Sequence, residues 1–150
     1  MQTLFPKSRI LYFTAYELDS PSLKETTLYA IDIAKLNKIK ISFDLADVNV
    51  IGRHRHLIEK ILADTKVVFS NTEEARAFTN VSNPEKAAKI LSGYADIAVV
   101  KDGKNGSYVY SSEGFIHVPA FTVKVIDTTG AGDGYASGFL KGMIEGYKLA

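Results

Sequence analysis

The sequence predicts an α/β protein, a mainly parallel sheet with helices on both faces, and three observations predict it. Apolar runs too short for helices alternate with longer stretches whose apolar residues recur at helical spacing. Strand–helix–strand units repeat along the first hundred residues, the arrangement that a covered parallel sheet requires. After Val100 the period changes to that of an antiparallel hairpin. With 150 residues and no linker, repeat or low-complexity segment, residues 1–150 form one domain with a substantial core.

Residues 9–14 (RILYFT) read as the first buried strand. Ser20 and Pro21 then open a helix as N-cap and first helical residue, with Leu23, Thr27, Ala30, Ile31 and Ala34 on one face. Residues 39–43 (IKISF) form the second strand, ending at Asp44. A helix over about 53–63 turns Leu57, Ile58, Ile61 and Leu62 inward. The third strand is 66–69 (KVVF), followed by short helices over 72–78 and 84–91, the latter capped by Asn83. Residues 96–100 (DIAVV) are the fourth strand, and 107–110 with 115–118 pair as the hairpin. A further strand over 123–126 leads into Asp127 and a helix reaching about Gly146. Phe5, Tyr12, Phe13 and Tyr16, around the first strand, read as core or as a contact to another domain.

Composition narrows the class. Apolar residues make up 46% and charged residues 23%, ordinary for a globular protein. A net charge of +1 with scattered basic residues gives no bulk attraction to nucleic acid or membrane. No apolar run reaches membrane-spanning length, and residues 1–7 lack the apolar core of a signal peptide, so the predicted compartment is the cytoplasm. There are no cysteines for disulfides or thiolate metal sites. His54 and His56 would diverge on a helix with no third ligand near in sequence, which argues against a metal there. Arg53 and Arg55 read as a solvated helix start.

In open α/β sheets ligands bind beyond the carboxyl ends of the strands. The polar residues there are Asp44 and Asp47, Asn71 and Glu74, Lys101 to Gly106 as a loop, and 127–133. The last segment continues as DTTGAGDG between a strand and a helix. Its glycines leave free amides at the helix start, an anion site. A P-loop would need a Gly-Lys-Ser/Thr ending, and none is present. A dinucleotide fingerprint would need glycine at 135 or 137, where Tyr135 and Ser137 stand. There remains a carboxylate, Asp133, beside an anion hole. It suits a base that takes a hydroxyl proton while the amides of Gly130, Ala131 and Gly132 stabilise a transferring phosphoryl group. The plainer reading makes Asp133 a first-turn capping acid. Asn71 with Glu74 likewise read as a cap and first-turn acid, and Gly103 with Gly106 as turn glycines.

The run Asp127-Thr128-Thr129-Gly130-Ala131-Gly132-Asp133 resembles the signature of the ribokinase family, the phosphofructokinase-B type carbohydrate kinases, which includes adenosine kinases. Asn71-Thr72-Glu73-Glu74 resembles the family's Asn-x-x-Glu motif, and Lys101-Asp102-Gly103-Lys104-Asn105-Gly106 its glycine loop over the nucleotide. Residues 43–47 (FDLAD) with Arg53-His54-Arg55 resemble the adenosine-kinase-like branch.

The resemblance implies a Rossmann-like three-layer ribokinase fold and ATP-dependent phosphorylation of an alcohol on a sugar or nucleoside. Asp133 is the implied base, with Gly130, Ala131 and Gly132 as the anion hole. Asn71, Glu74, Lys101, Gly103, Gly106 and Gly132 are the implied nucleotide-binding residues. Glu74 would organise Mg²⁺ through water, and Asp127 and Thr129 would hold a monovalent cation such as K⁺ in potassium-dependent members. Relative to family length the chain reads as a truncated, central and C-terminal part. By itself it is expected to be inactive and to self-associate through apolar surface left around the Leu11 and Ile39 strands, and a nucleotide-binding remnant is the alternative to a kinase.

Overall fold

The computed structural model describes residues 7–149, so Phe5 lies outside the described residues. Six strands form one sheet in chain order: β1 (Ile10–Thr14), β2 (Lys40–Asp44), β3 (Val67–Asn71), β4 (Ile97–Lys101), β5 (Ser107–Ser111) and β6 (Gly114–Val118). Neighbours from β1 to β4 pair parallel, and β4–β5 and β5–β6 pair antiparallel. The helices are α1 (Pro21–Leu36), α2 (Val48–Leu62), α3 (Thr72–Thr79), α4 (Pro84–Leu91) and α5 (Ala131–Glu145).

Sequential strand order with right-handed crossovers puts every crossover helix on the same face. Helices α1 to α4 accordingly share one core with Phe13, Phe43, Val68 and Val100. The opposite face carries Val67, Phe69, Val99 and Val109, against which α5 packs Ala136 and Leu140. Strand alternation sends Tyr12 to this α5 side and Phe13 to the other.

The sequence expectations needed four corrections. Helix α2 begins at Val48, not near 53, because Asp47 caps it: its Oδ1 accepts from the amides of Asn49 (2.8 Å) and Val50 (3.0 Å). The Arg53-His54-Arg55 run therefore lies inside the helix, at a kink where His54 is non-helical. Arg53 and His54 both reach Asp19, and His56 stands exposed beside Glu59. In α1, Leu23 is exposed; Leu28 packs against the core instead. Ile39, expected at an exposed apolar surface, is buried just before β2, which is internal rather than an edge.

The fourth correction concerns residues 123–126. They form no strand, and residues 119–130 are exposed throughout. The apolar alternation is real, with Phe121 92%, Val123 70% and Val125 66% exposed, but no described strand lies beside it to complete a ladder.

Candidate active site

All four parallel strands end on a polar residue at the same edge: Thr14, Asp44, Asn71 and Lys101. The register sets Thr14 beside Asp44 and Asn71 beside Lys101. The first turn of α5 arrives at this edge from the other face. Together they line a cleft of about 870 Å³, the size of a small-molecule site.

Lys101 Nζ donates to Asp44 Oδ2 at 2.8 Å, a pair whose side chains are only 17% and 7% exposed. Asp44 Oδ1 accepts from the Ala46 amide at 3.0 Å. The lysine thus reaches across the end of β3, its ammonium 5.9 Å from the Phe69 ring centre. A Cβ on Gly132 would stand 3.3 Å from that ammonium, so glycine at this position keeps room for the cation above the helix start.

Gly130 turns into α5 with φ +74, a left-handed conformation that glycine adopts without strain. The Ala131 amide donates to the Thr128 carbonyl at 3.0 Å and closes the turn. No backbone carbonyl takes the amides of Gly130, Gly132 or Asp133, which are the open donors. The Ala131 amide, expected as a donor of the anion hole, is therefore already taken. Asp133 stands exposed on the rim, where Tyr12 Oη donates to its Oδ1 at 3.4 Å. Burial, with the Asp44 and Asp133 carboxylates nearby, pushes the Tyr12 phenol above the ordinary tyrosine range, so it remains a donor.

Asn71 and Glu74 form a capping box at the start of α3. Asn71 Oδ1 accepts from the Glu74 amide at 2.9 Å, and Glu74 Oε2 accepts from the Asn71 amide at 2.8 Å. The cap reading is therefore realised, yet both side chains also line the cleft. Glu74 is 6% exposed, and that burial raises its carboxyl pKa; the Asn71 amide pulls it down, the Asp44 charge raises it and Lys101 lowers it.

Gly103 and Gly106 bound a tight loop after β4, with Gly106 at φ +97. A Cβ on Gly106 would fall 1.9 Å from the Val118 carbonyl oxygen, so the close approach of β6 requires glycine. Lys104 is exposed and does not line the cleft. Asp127 and Thr129 are exposed and do not line the cleft. The Thr129 amide donates to Asp127 Oδ1 at 2.8 Å and holds that carboxyl below the usual range.

Tyr12, Thr14 and the Ser107–Tyr135 hydroxyl pair (2.7 Å) had no sequence motif to flag them. Period-two alternation in β1 could have placed Tyr12 opposite Phe13, but not told which face α5 would cover. Asp44 was flagged by its place at a strand end and within the 43–47 run, with no role attached.

Among the residues lining the cleft, Asp44, Glu74 and Asp133 are acids and Lys101 is the one cation. Such a site takes a polyphosphate best when a divalent cation accompanies it. Glu74 offers hard oxygen donors at the cleft, and Mg²⁺ characteristically binds one or two carboxylates together with substrate phosphates. No larger protein cage of His, Cys, Asp or Glu occurs among the described residues. The donor set therefore fits Mg²⁺. Asp127, ionised and oxygen-bearing, also suits a monovalent cation in donor type.

An open mixed sheet whose carboxyl edge joins a glycine-rich helix start, a half-buried lysine and a carboxylate is an α/β protein with its cleft where such sheets bind ligands. The model of the pfkB family carbohydrate kinases matches residues 1–150, and the chain belongs to that family. It is 31% identical to the 5-dehydro-2-deoxygluconokinase of Bacillus licheniformis, over 93% of this chain and 46% of that protein. It is also 31% identical to the cytidine kinase of Thermococcus kodakarensis, over 87% and 48%. The crystal structure of adenosine kinase from Sinorhizobium meliloti superimposes with a TM-score of 0.92 at 30% identity, covering 99% of this chain and 46% of that one. The fold is thus the ribokinase fold, and the chain spans about half the length of the curated relatives it matches. No helix among the described residues is long and apolar enough to cross a membrane.

Proposed function

We propose that the cleft binds ATP with Mg²⁺ and serves phosphoryl transfer to an alcohol group of a sugar or nucleoside. The observation that carries this is the meeting, at one sheet edge, of the Lys101 ammonium, the open amides of Gly132 and Asp133, and the Asp133 carboxylate. Lys101 and the amides bind the phosphate oxygens and orient the terminal group. Asp133 accepts the proton of the acceptor hydroxyl as its oxygen bonds to the γ-phosphorus and the bond to the ADP oxygen breaks. Bound Mg²⁺, organised by Glu74 through water, would supply charge neutralisation on the phosphates. Asn71, Gly103 and Gly106 shape the nucleotide side, and Asp127 and Thr129 are the proposed ligands of K⁺.

The named relatives act on a deoxygluconate derivative, cytidine and adenosine, so the acceptor class is a small polyhydroxylated molecule rather than one sugar. Release of ADP with adenosine and with ribose, measured on a protein of the relatives' length that contains this chain, tests the proposal; no acceptor-dependent release there, with no ATP bound, sinks it.

A second reading, nucleotide binding without transfer, is favoured by the exposure of Asp133, since a base open to water is poorly placed to exclude hydrolysis. ATP binding with no acceptor-dependent release selects it. We place the protein in the cytoplasm. The exposed Phe121, Val123, Val125 and Ile126 support self-association, which light scattering reads as a mass above 16.4 kDa.

A further inference from the structure

We infer that Asp44 is a positioning residue for phosphate recognition, holding the Lys101 ammonium over the Gly132 turn; this rests on the cleft being the MgATP site. A lysine at the end of β4 has a flexible stem and, left alone, would extend into solvent. Here it bends across β3 to a carboxylate two strands away, 2.8 Å from Asp44 Oδ2. That carboxylate is itself fixed by the Ala46 amide, and Ala46 takes a left-handed φ of 55 to deliver it. Phe69 bounds the ammonium on one side and Gly132 on another. Of the three ammonium donors one goes to Asp44, which leaves others for an anion at the start of α5.

The arrangement makes a prediction of sign that charge counting reverses. Asp44 is a negative group in a site for a polyanion, so by Coulomb repulsion alone its neutralisation should tighten binding. As the anchor of Lys101, its neutralisation should weaken binding, because the cation is no longer held over the turn. Loss of the lysine removes the anchor's purpose, and then only the repulsion remains.

The test is MgATP affinity by calorimetry for the 150-residue chain, its Asp44→Asn and Lys101→Met variants, and the double variant. Circular dichroism establishes folding of each. Lys101→Met is expected to weaken binding by roughly tenfold or more, the scale of a charged hydrogen bond. Asp44→Asn should weaken it by a similar factor with Lys101 present, and leave it unchanged or tighter in the Lys101→Met background. Tighter binding by Asp44→Asn alone would overturn the inference, as would equal weakening in both backgrounds, which would mean that Asp44 contacts the ligand or its metal. Should Asp44→Asn not fold, Lys101→Met against the double variant decides, since weaker binding by the double variant is again contrary. A wild-type chain that binds no MgATP removes the proposed function itself and this inference with it.

Discussion

Tyr12 on the edge strand donates its phenolic hydrogen to Asp133 in the first turn of α5, at 3.4 Å and across 121 positions of chain. The bond ties the carboxylate to β1 at the carboxyl edge of the sheet. In a protein of the relatives' length that contains this chain, Asp133→Asn is expected to lower acceptor-dependent ADP release by about a hundredfold or more, the usual effect of losing a general base, with MgATP affinity preserved. Unchanged release would reduce Asp133 to a first-turn acid.

Glu74 has a raised carboxyl pKa, so the folded state binds its proton more tightly than the unfolded chain does. Its contribution is therefore fully present below the ordinary carboxylate range and is lost as pH rises through the raised value. Urea unfolding of wild type and Glu74→Gln from acid to neutral pH should show wild type losing ground steadily against the variant. A difference that is flat, or that grows with pH, contradicts the assignment. In turnover, the same variant should shift the Mg²⁺ dependence more than the KM of the alcohol.

Two glycines separate structural from functional demands. Gly106→Ala meets both a φ of +97 and a carbonyl oxygen 1.9 Å away, and should cost about 2 kcal/mol or more of stability. Gly103→Ala, at φ +51 in open space, should cost only about 1 kcal/mol. Similar melting temperatures for the two variants would refute the close-approach argument.

Gly132→Ala is the converse case. The backbone is helical there and the only neighbour within reach is the Lys101 ammonium. Alanine is the better helix former by about 1 kcal/mol, so thermal stability should hold or rise while MgATP binding falls as the cation is displaced. Binding equal to wild type would show that the ammonium does not serve the turn.

The layered fold and the glycine turn into α5 were legible because each rests on local pattern. Buried apolar runs fix the strands, and residues 127–133 carry their glycines and carboxylate together. Asp47 could have announced α2 as a cap, but the helix reading leaned on apolar spacing and so missed Val50 and Ile51 at its buried start. The run 123–126 has strand composition and lacks a strand, because pairing depends on a neighbour that composition does not contain. The Asp44–Lys101 and Tyr12–Asp133 contacts were hidden for a related reason. They join residues 57 and 121 positions apart, and only the sheet order and the side taken by α5 bring them together.

The most direct test of the account is where MgATP touches the chain, read from amide chemical shifts during titration of the isotope-labelled protein. The predicted result is that the amides of Gly130, Gly132 and Asp133 and of the loop at Gly103 and Gly106 move together and saturate. Saturating MgATP that leaves those amides still, or that moves those around Lys66 and Asp96 at the opposite end of the strands, would contradict it.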